Sequence, residues 1–259
     1  MHSHPMPTVS GTLRLLFTGS WTASVCAGLI GVHALSGDGE RFRRLEQAWA
    51  AGLARAWGMG VETHGAERVD PAGTYLFMAN HQSHVDIVAL IEALPLMPGF
   101  LAKKELRSVP ILGAAMEVGG HVFIDRRQRT QAIEAIDEAA RVVRGGASIV
   151  VFPEGTRNER EAVAVFKKGG FHLALRAGVP VVPIGIRGTR ALLPRHSRMI
   201  RSGDVSVHIG APISPTELES LGLEGSMERV RAEIAALAAM PLDDTPRRAR
   251  SREDAPSKV

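Results

Sequence analysis

The sequence predicts an α/β layer architecture with a helical extension at its N-terminus. Two observations carry this. From Val61 onward short β-rich runs alternate with helical periodicity, and 259 residues suit one such domain plus an extension better than two full domains. Apolar residues at 45% and charged residues at 22% describe an ordinary globular chain, but the apolar residues are unevenly spread.

From Leu15 to Gly37 no Asp, Glu, Lys or Arg occurs. The run reaches the roughly 20 residues that cross a bilayer. Its Ser, Thr and Gly content leaves three outcomes open: a span, a segment lying in the interface, or a buried or cleavable element. Only Arg14 shortly precedes the run and no small-x-small cleavage site is obvious after it, which disfavours a signal peptide. The chain is therefore expected at a membrane, on the cytoplasmic face. Cys26, the single cysteine, lies inside the run, so an intrachain disulfide and a redox or zinc-thiolate site are excluded.

Residues 40–58 place Phe42, Leu45, Trp49, Leu53 and Trp57 at steps of three and four, with Arg41, Arg43, Arg44 and Arg55 among them. This is the period of a helix, packed on a core or lying on a membrane surface. Strands are expected at Thr74–Ala79, His121–Ile124, Ser148–Phe152, Val179–Ile186 and Val205–Ile209. Helices fit at Val85–Ala93, Gln128–Arg144, Gly170–Arg176 and Met227–Ala239. A charged tail follows, with Arg247, Arg248, Arg250 and Arg252, and is expected to be disordered. The chain thus divides into an N-terminal apolar and amphipathic part (1–58), a globular domain (59–240) and a tail (241–259). The net charge of +4 and pI near 9.7 suit anionic headgroups, phosphorylated substrates or nucleic acid, and do not choose among them.

Asn80-His81-Gln82-Ser83-His84-Val85-Asp86 follows the strand ending at Ala79. Ser83 with Asp86 three residues on reads as a helix start, which leaves His81 in the turn before it. On a continuous helix residues five apart are roughly 140° apart and could not meet; from a turn His81 can reach Asp86. A carboxylate on one imidazole nitrogen fixes the tautomer and frees the other nitrogen to take a proton. No Gly-x-Ser-x-Gly elbow occurs, so the nucleophile would be a substrate hydroxyl. Two other readings stay open at this block. Asp86 could be only the acidic partner of a capping box, or His81, His84 and Asp86 could ligate a metal.

Phe152-Pro153-Glu154-Gly155-Thr156-Arg157-Asn158 follows a buried-strand pattern and must turn, with Gly155 allowing a positive φ or a close ligand approach. Arg157 offers a planar fork for phosphate, or pairs with Glu154 on the surface. Lys103, Lys104 and Arg126 stand at further strand boundaries.

With four ordered blocks the chain resembles the glycerolipid acyltransferase family typified by 1-acylglycerol-3-phosphate acyltransferases. The blocks are Asn80 to Asp86 with its His-x-x-x-x-Asp spacing, Gly120-His121-Val122-Phe123-Ile124-Asp125-Arg126, Phe152 to Arg157, and Val181-Val182-Pro183-Ile184. The resemblance implies a mixed sheet flanked by helices. It also implies acyl transfer from acyl-CoA or acyl carrier protein to a glycerolipid hydroxyl, without metal or cofactor. His81 would be the general base and Asp86 its orienting carboxylate. The acceptor, lysophosphatidic acid, would be held by Arg126, Glu154, Gly155, Thr156 and Arg157, with Lys103. Membrane lipid is the implied partner and nucleic acid is not. Backbone N–H groups near the first block are expected to hold the oxyanion. His84 and His121 are not carried over as catalytic. Lyso-ornithine lipid or another lysolipid is the alternative acceptor; a non-catalytic lipid-binding protein and a metal-dependent hydrolase are the rival classes.

Overall fold

The computed structural model describes residues 11–125, 129–197 and 199–245. Its central strand, β2 (Leu76–Ala79), is buried throughout. Leu76 and Met78 point into one core cluster and Phe77 and Ala79 into the other, the period-two alternation of a sheet covered on both faces. The other strands of the sheet are β1 (Met59–His64), β3 (Gly99–Lys103), β4 (Val122–Ile124), β5 (Ile149–Val151), β7 (Val181–Arg187) and β8 (Gly203–Ile209). Their order is β1-β8-β7-β2-β5-β3-β4. Only the β7–β8 pair is antiparallel, so the sheet is mixed, as the resemblance implies. A separate ribbon pairs β6 (Val163–Ala164) with β9 (Leu242–Asp243).

The connections decide where a site can form. From β2 the chain runs through α3 (Val85–Ala93) to β3, passing β5; from β5 it runs through β6 and α6 (Lys168–Ala177) to β7, passing β2. Residues of α3 pack in one cluster with α2 (Gly39–Trp57). Residues of α6 pack in the opposite one with α5 (Arg129–Arg144) and α8 (Pro215–Ala238). Two neighbouring parallel strands whose exits leave on opposite faces open a crevice at their carboxyl ends. Residues 80–84 follow β2 there, and residues 152–158 follow β5.

The expected strands and helices are present, with ends shifted by a few residues; α3 has the expected bounds. Added to them are β1, β3, α4 (Leu112–Val118), α7 (Thr189–Leu192), the β6–β9 ribbon and the first half of α8. β1 is an edge strand with a half-exposed polar pattern. α8 is broken at Gly222, which takes a positive φ of 64° inside the helix and hides its periodicity. His121 is structural: its Nδ1 accepts the Phe100 N–H at 3.0 Å while Nε2 stands 3.6 Å from Glu46.

The apolar run forms α1 (Gly11–Ser36), of which only 17% of the stretch Leu13–Ser36 is buried, so it is not a core helix. It lies along α2 and α4, held by hydrogen bonds as well as apolar contact. The Trp57 indole donates to Thr18 Oγ1 (2.9 Å), that of Trp49 to Thr22 Oγ1 (3.0 Å), and that of Trp21 to the Trp49 carbonyl (3.1 Å). Buried Arg14 donates to the Ile200 carbonyl (3.1 Å). Leu13, Leu16, Phe17 and Leu35 point outward. The periodic face of α2 is core-packed through Ala50, Leu53 and Trp57.

Of the segment 241–259, residues 241–245 pack against the domain through the ribbon, and residues 246–259 lie outside the described residues.

The α1–α2 contact depends on Gly52, where an added Cβ would sit 2.5 Å from Trp21 Nε1. Gly52→Val is expected to cost about 1–3 kcal/mol by overpacking. It should lower the midpoint of thermal unfolding in detergent and speed proteolysis within α1; an unchanged midpoint and cleavage rate would show that the indole is not seated there.

Candidate active site

The β2–α3 turn presents His81. Asn80 closes the strand by pairing its side-chain amide with Ile186 of β7: Nδ2 donates to the carbonyl (2.9 Å) and Oδ1 accepts the N–H (2.7 Å). One residue on, His81 Nδ1 lies 2.7 Å from Asp86 Oδ2, and its ring stacks on Phe152, centroids 4.0 Å apart and planes 16° from parallel. Nε2 has no hydrogen-bond partner among the described residues, and the side chain is 14% exposed. That is the geometry of a base whose tautomer is fixed from behind.

Asp86 is fully buried, and the same Oδ2 also accepts the N–H groups of Gln82 (2.8 Å) and Ser83 (3.0 Å). The capping-box and base-orienting readings therefore coexist on one oxygen. α3 itself begins at Val85, one turn position later than a Ser83 cap implies; Ser83 Oγ accepts the Val85 N–H (3.2 Å) and donates to the Leu193 carbonyl (2.8 Å). Asp86 Oδ1 is buried without a partner among the described residues. No three His, Cys, Asp or Glu side chains converge as metal ligands among those residues, so His84 does not join His81 and Asp86.

The turn after β5 grips the backbone of His81. The Gly155 N–H bonds back to the Phe152 carbonyl (3.0 Å), with Gly155 at φ 74°; an added Cβ there would meet the Lys167 side chain at 2.7 Å. This puts Glu154 inside the protein, 5% exposed, where it does not pair with Arg157. Its Oε1 accepts the His81 N–H (2.9 Å) and its Oε2 the Ala164 N–H (3.1 Å). Burial pushes its carboxyl up to about 7, against the two backbone N–H groups and Asn158, which pull it down. The Asn158 N–H donates to the His81 carbonyl (2.7 Å), and Gln82 Nε2 to the Arg160 carbonyl (2.8 Å).

The cations stand around this corner. Arg157 is half-buried, donating weakly to the Arg195 carbonyl (3.4 Å), and Lys103 is exposed at the end of β3. Both act electrostatically on His84, an exposed side chain. Its desolvation, then Arg157 and His81, push it down to about 4. Lys104 turns away to Gln131 (2.9 Å) and Asp125 (3.7 Å). Thr156 is half-buried in the turn. Arg126 lies outside the described residues.

Of the expected oxyanion donors of the first block, the N–H groups of His81, Gln82, Ser83 and Val85 donate within the protein, while that of His84 makes no hydrogen bond among the described residues. Those of Thr156 and Arg157 make no hydrogen bond among the described residues. Sequence reading also missed Phe152 as the stacking partner, Asn158 as the grip on the His81 carbonyl and Lys167 over Gly155. Phe152 and Asn158 lay inside the quoted block and were the accessible signals.

A family model described as Acyltransferase matches residues 60–187. The chain is 31% identical over 212 residues to the human 1-acyl-sn-glycerol-3-phosphate acyltransferase alpha, covering 82% of this chain and 75% of that protein. It is 30% identical to the bovine protein of the same name, covering 87% and 79%. Against the Saccharomyces cerevisiae 1-acyl-sn-glycerol-3-phosphate acyltransferase identity is 34%, over 68% of this chain and 59% of that one. The crystal structure of the 1-acyl-sn-glycerophosphate (LPA) acyltransferase PlsC from Thermotoga maritima superposes with a TM-score of 0.77 at 26% identity, covering 88% of this chain and 93% of that one.

The raised carboxyl of Glu154 carries a pH signature. The native state holds this proton more tightly than the unfolded chain, so the contribution to stability is full below about pH 4.5 and is lost as pH rises through about 7. Relative to Glu154→Gln, the wild type should lose of the order of 3 kcal/mol of unfolding free energy across that window. Denaturant unfolding of both proteins at several pH values measures it; a constant difference would contradict the burial of this group.

Proposed function

The chain belongs to the acyltransferase family, and on that premise we propose that it transfers a fatty acyl group from a thioester donor, acyl-CoA or acyl carrier protein, to the free hydroxyl of 1-acylglycerol-3-phosphate. The product is phosphatidic acid for phospholipid synthesis. The observation that carries this reading is His81, tied at Nδ1 to Asp86 and free of a protein partner at Nε2 among the described residues.

In this reaction Nε2 removes the acceptor's hydroxyl proton as the oxygen attacks the thioester carbonyl. The C–O bond forms, the C–S bond breaks, and the imidazolium, stabilised by Asp86, returns the proton to the departing thiolate. A thioester is reactive enough for positioning and proton removal to suffice, so no cofactor and no covalent enzyme intermediate enter. The N–H groups of His84, Thr156 and Arg157 are donors left at this corner for developing negative charge.

Arg157 and Lys103, with Arg126, take the acceptor's phosphate, and Gly155, at φ 74°, shapes the turn that presents Thr156 and Arg157. Glu154 serves the acceptor indirectly, because both of its oxygens hold backbone N–H groups. A lysolipid without phosphate, such as lyso-ornithine lipid, would leave Arg157 and Lys103 without a phosphate to hold and so underused. The helical hairpin of α1 and α2 supports attachment along a membrane interface, and the cytoplasmic leaflet is the one proposed. One side of α1 is hydrogen-bonded to α2 and the domain, and its outward Leu13, Leu16, Phe17 and Leu35 offer one apolar face.

Transfer of labelled acyl groups from acyl-CoA and from acyl carrier protein, in mixed micelles, tests the proposal. Wild type should acylate lysophosphatidic acid, and His81→Ala should lose about 10²–10⁴-fold in kcat. Arg157→Ala should raise KM for lysophosphatidic acid about tenfold or more, with a smaller effect on kcat. Transfer to lyso-ornithine lipid in place of lysophosphatidic acid would replace the acceptor, and full activity of His81→Ala would overturn the mechanism.

A further inference from the structure

The β6–β9 ribbon has two residues per strand and no partner in the main sheet, too little to hold itself in place. Val163 is buried in the core and Arg160 stands 3.5 Å from Asp243, but one side chain joins both strands through their backbone carbonyls. Arg231, on α8, is 14% exposed and spends its guanidinium on the ribbon. Nε donates to the Ala164 carbonyl (3.0 Å), and Nη2 donates to those of Val163 (3.0 Å) and Asp243 (2.9 Å). Nη1 donates to Asp244 Oδ1 (2.6 Å). A planar fork with donors at fixed angles can join three carbonyls and a carboxylate; a lysine ammonium on its flexible stem cannot reproduce that.

The other side of the ribbon faces the active site. The Ala164 N–H donates to Glu154 Oε2, and Glu154 Oε1 holds the His81 N–H. The peptide groups flanking Ala164 are thus fixed at one end by Arg231 and required at the other by Glu154. If β6 drifts, Glu154 loses one of its two backbone partners inside the protein, and a buried carboxylate left half-satisfied will move toward another donor.

We propose that Arg231 is a positioning residue for His81, acting through the β6–β9 ribbon and Glu154. The segment Leu242–Asp244 is then part of the scaffold of the active site. The inference rests on the reading of His81 as the general base.

A double-mutant cycle tests it, with kcat and KM for lysophosphatidic acid measured for wild type, Arg231→Ala, Glu154→Gln and the pair. Arg231→Ala should lower kcat about 10- to 100-fold with KM within about twofold. The double variant should be no worse than the poorer single one, because both act on one path. Multiplicative losses, or an unchanged kcat in folded Arg231→Ala, would overturn the proposal. Should Arg231→Ala fail to fold, Arg231→Lys carries the same cycle with the same criterion. His81→Ala is assayed alongside: its full activity would remove the base itself, whereas its inactivity with multiplicative losses in the cycle would reject only the role of Arg231.

Discussion

One carboxylate oxygen organises the active corner. Asp86 Oδ2 collects the His81 ring nitrogen and two consecutive backbone N–H groups, all within 3.0 Å, from a position closed to solvent. Hydrogen bonds to the ionised form keep an isolated carboxylate viable in such a place. The turn can take this shape only if residues 81–83 fold back over the first turn of α3, and that is what leaves His81 at the mouth of the crevice between β2 and β5. The helix start and the orientation of the His81 ring are one interaction.

A second carboxylate completes the arrangement from the neighbouring strand. Asp86 fixes the ring of His81, while Glu154 and Asn158 fix its peptide groups, N–H and carbonyl alike. Phe152 closes the face of the ring. His81 is therefore constrained from β2, from α3 and from the loop after β5, and the loop is constrained in turn by the ribbon and α8. Such support from several elements is what holds a catalytic group to a fraction of an ångström. Arg157, half-buried, and Lys103, exposed, remain at the rim.

What the sequence made legible was local. His81 and Asp86 are five residues apart and their meeting follows from a strand, a turn and a capped helix. The strands β2, β5 and β7 show as apolar runs because they are buried on both faces. What was hidden was non-local. The destination of Glu154 depends on the β2–β5 pairing, which places a residue 73 positions away within hydrogen-bonding reach of His81. A surface pair with Arg157 or a ligand contact fits the same Phe-Pro-Glu-Gly-Thr-Arg string equally well. Arg231 lies 67 residues from Ala164, on a helix whose period is broken by Gly222, and one-dimensional pattern carries no trace of its contacts. The family resemblance supplied the reaction class; the division of labour between Asp86 and Glu154 came only with the coordinates.

The central claim is that Asp86 holds His81 with its proton on Nδ1 and leaves Nε2 bare to accept one. Nitrogen-15 NMR of histidine-labelled protein, assigned with His81→Gln, reads this directly at pH 8. The account predicts a protonated, pyrrole-type Nδ1 and an unprotonated, pyridine-type Nε2 for His81, with the preference lost in Asp86→Ala. A resonance pair showing the proton on Nε2, or an averaged pair unchanged by Asp86→Ala, would contradict it.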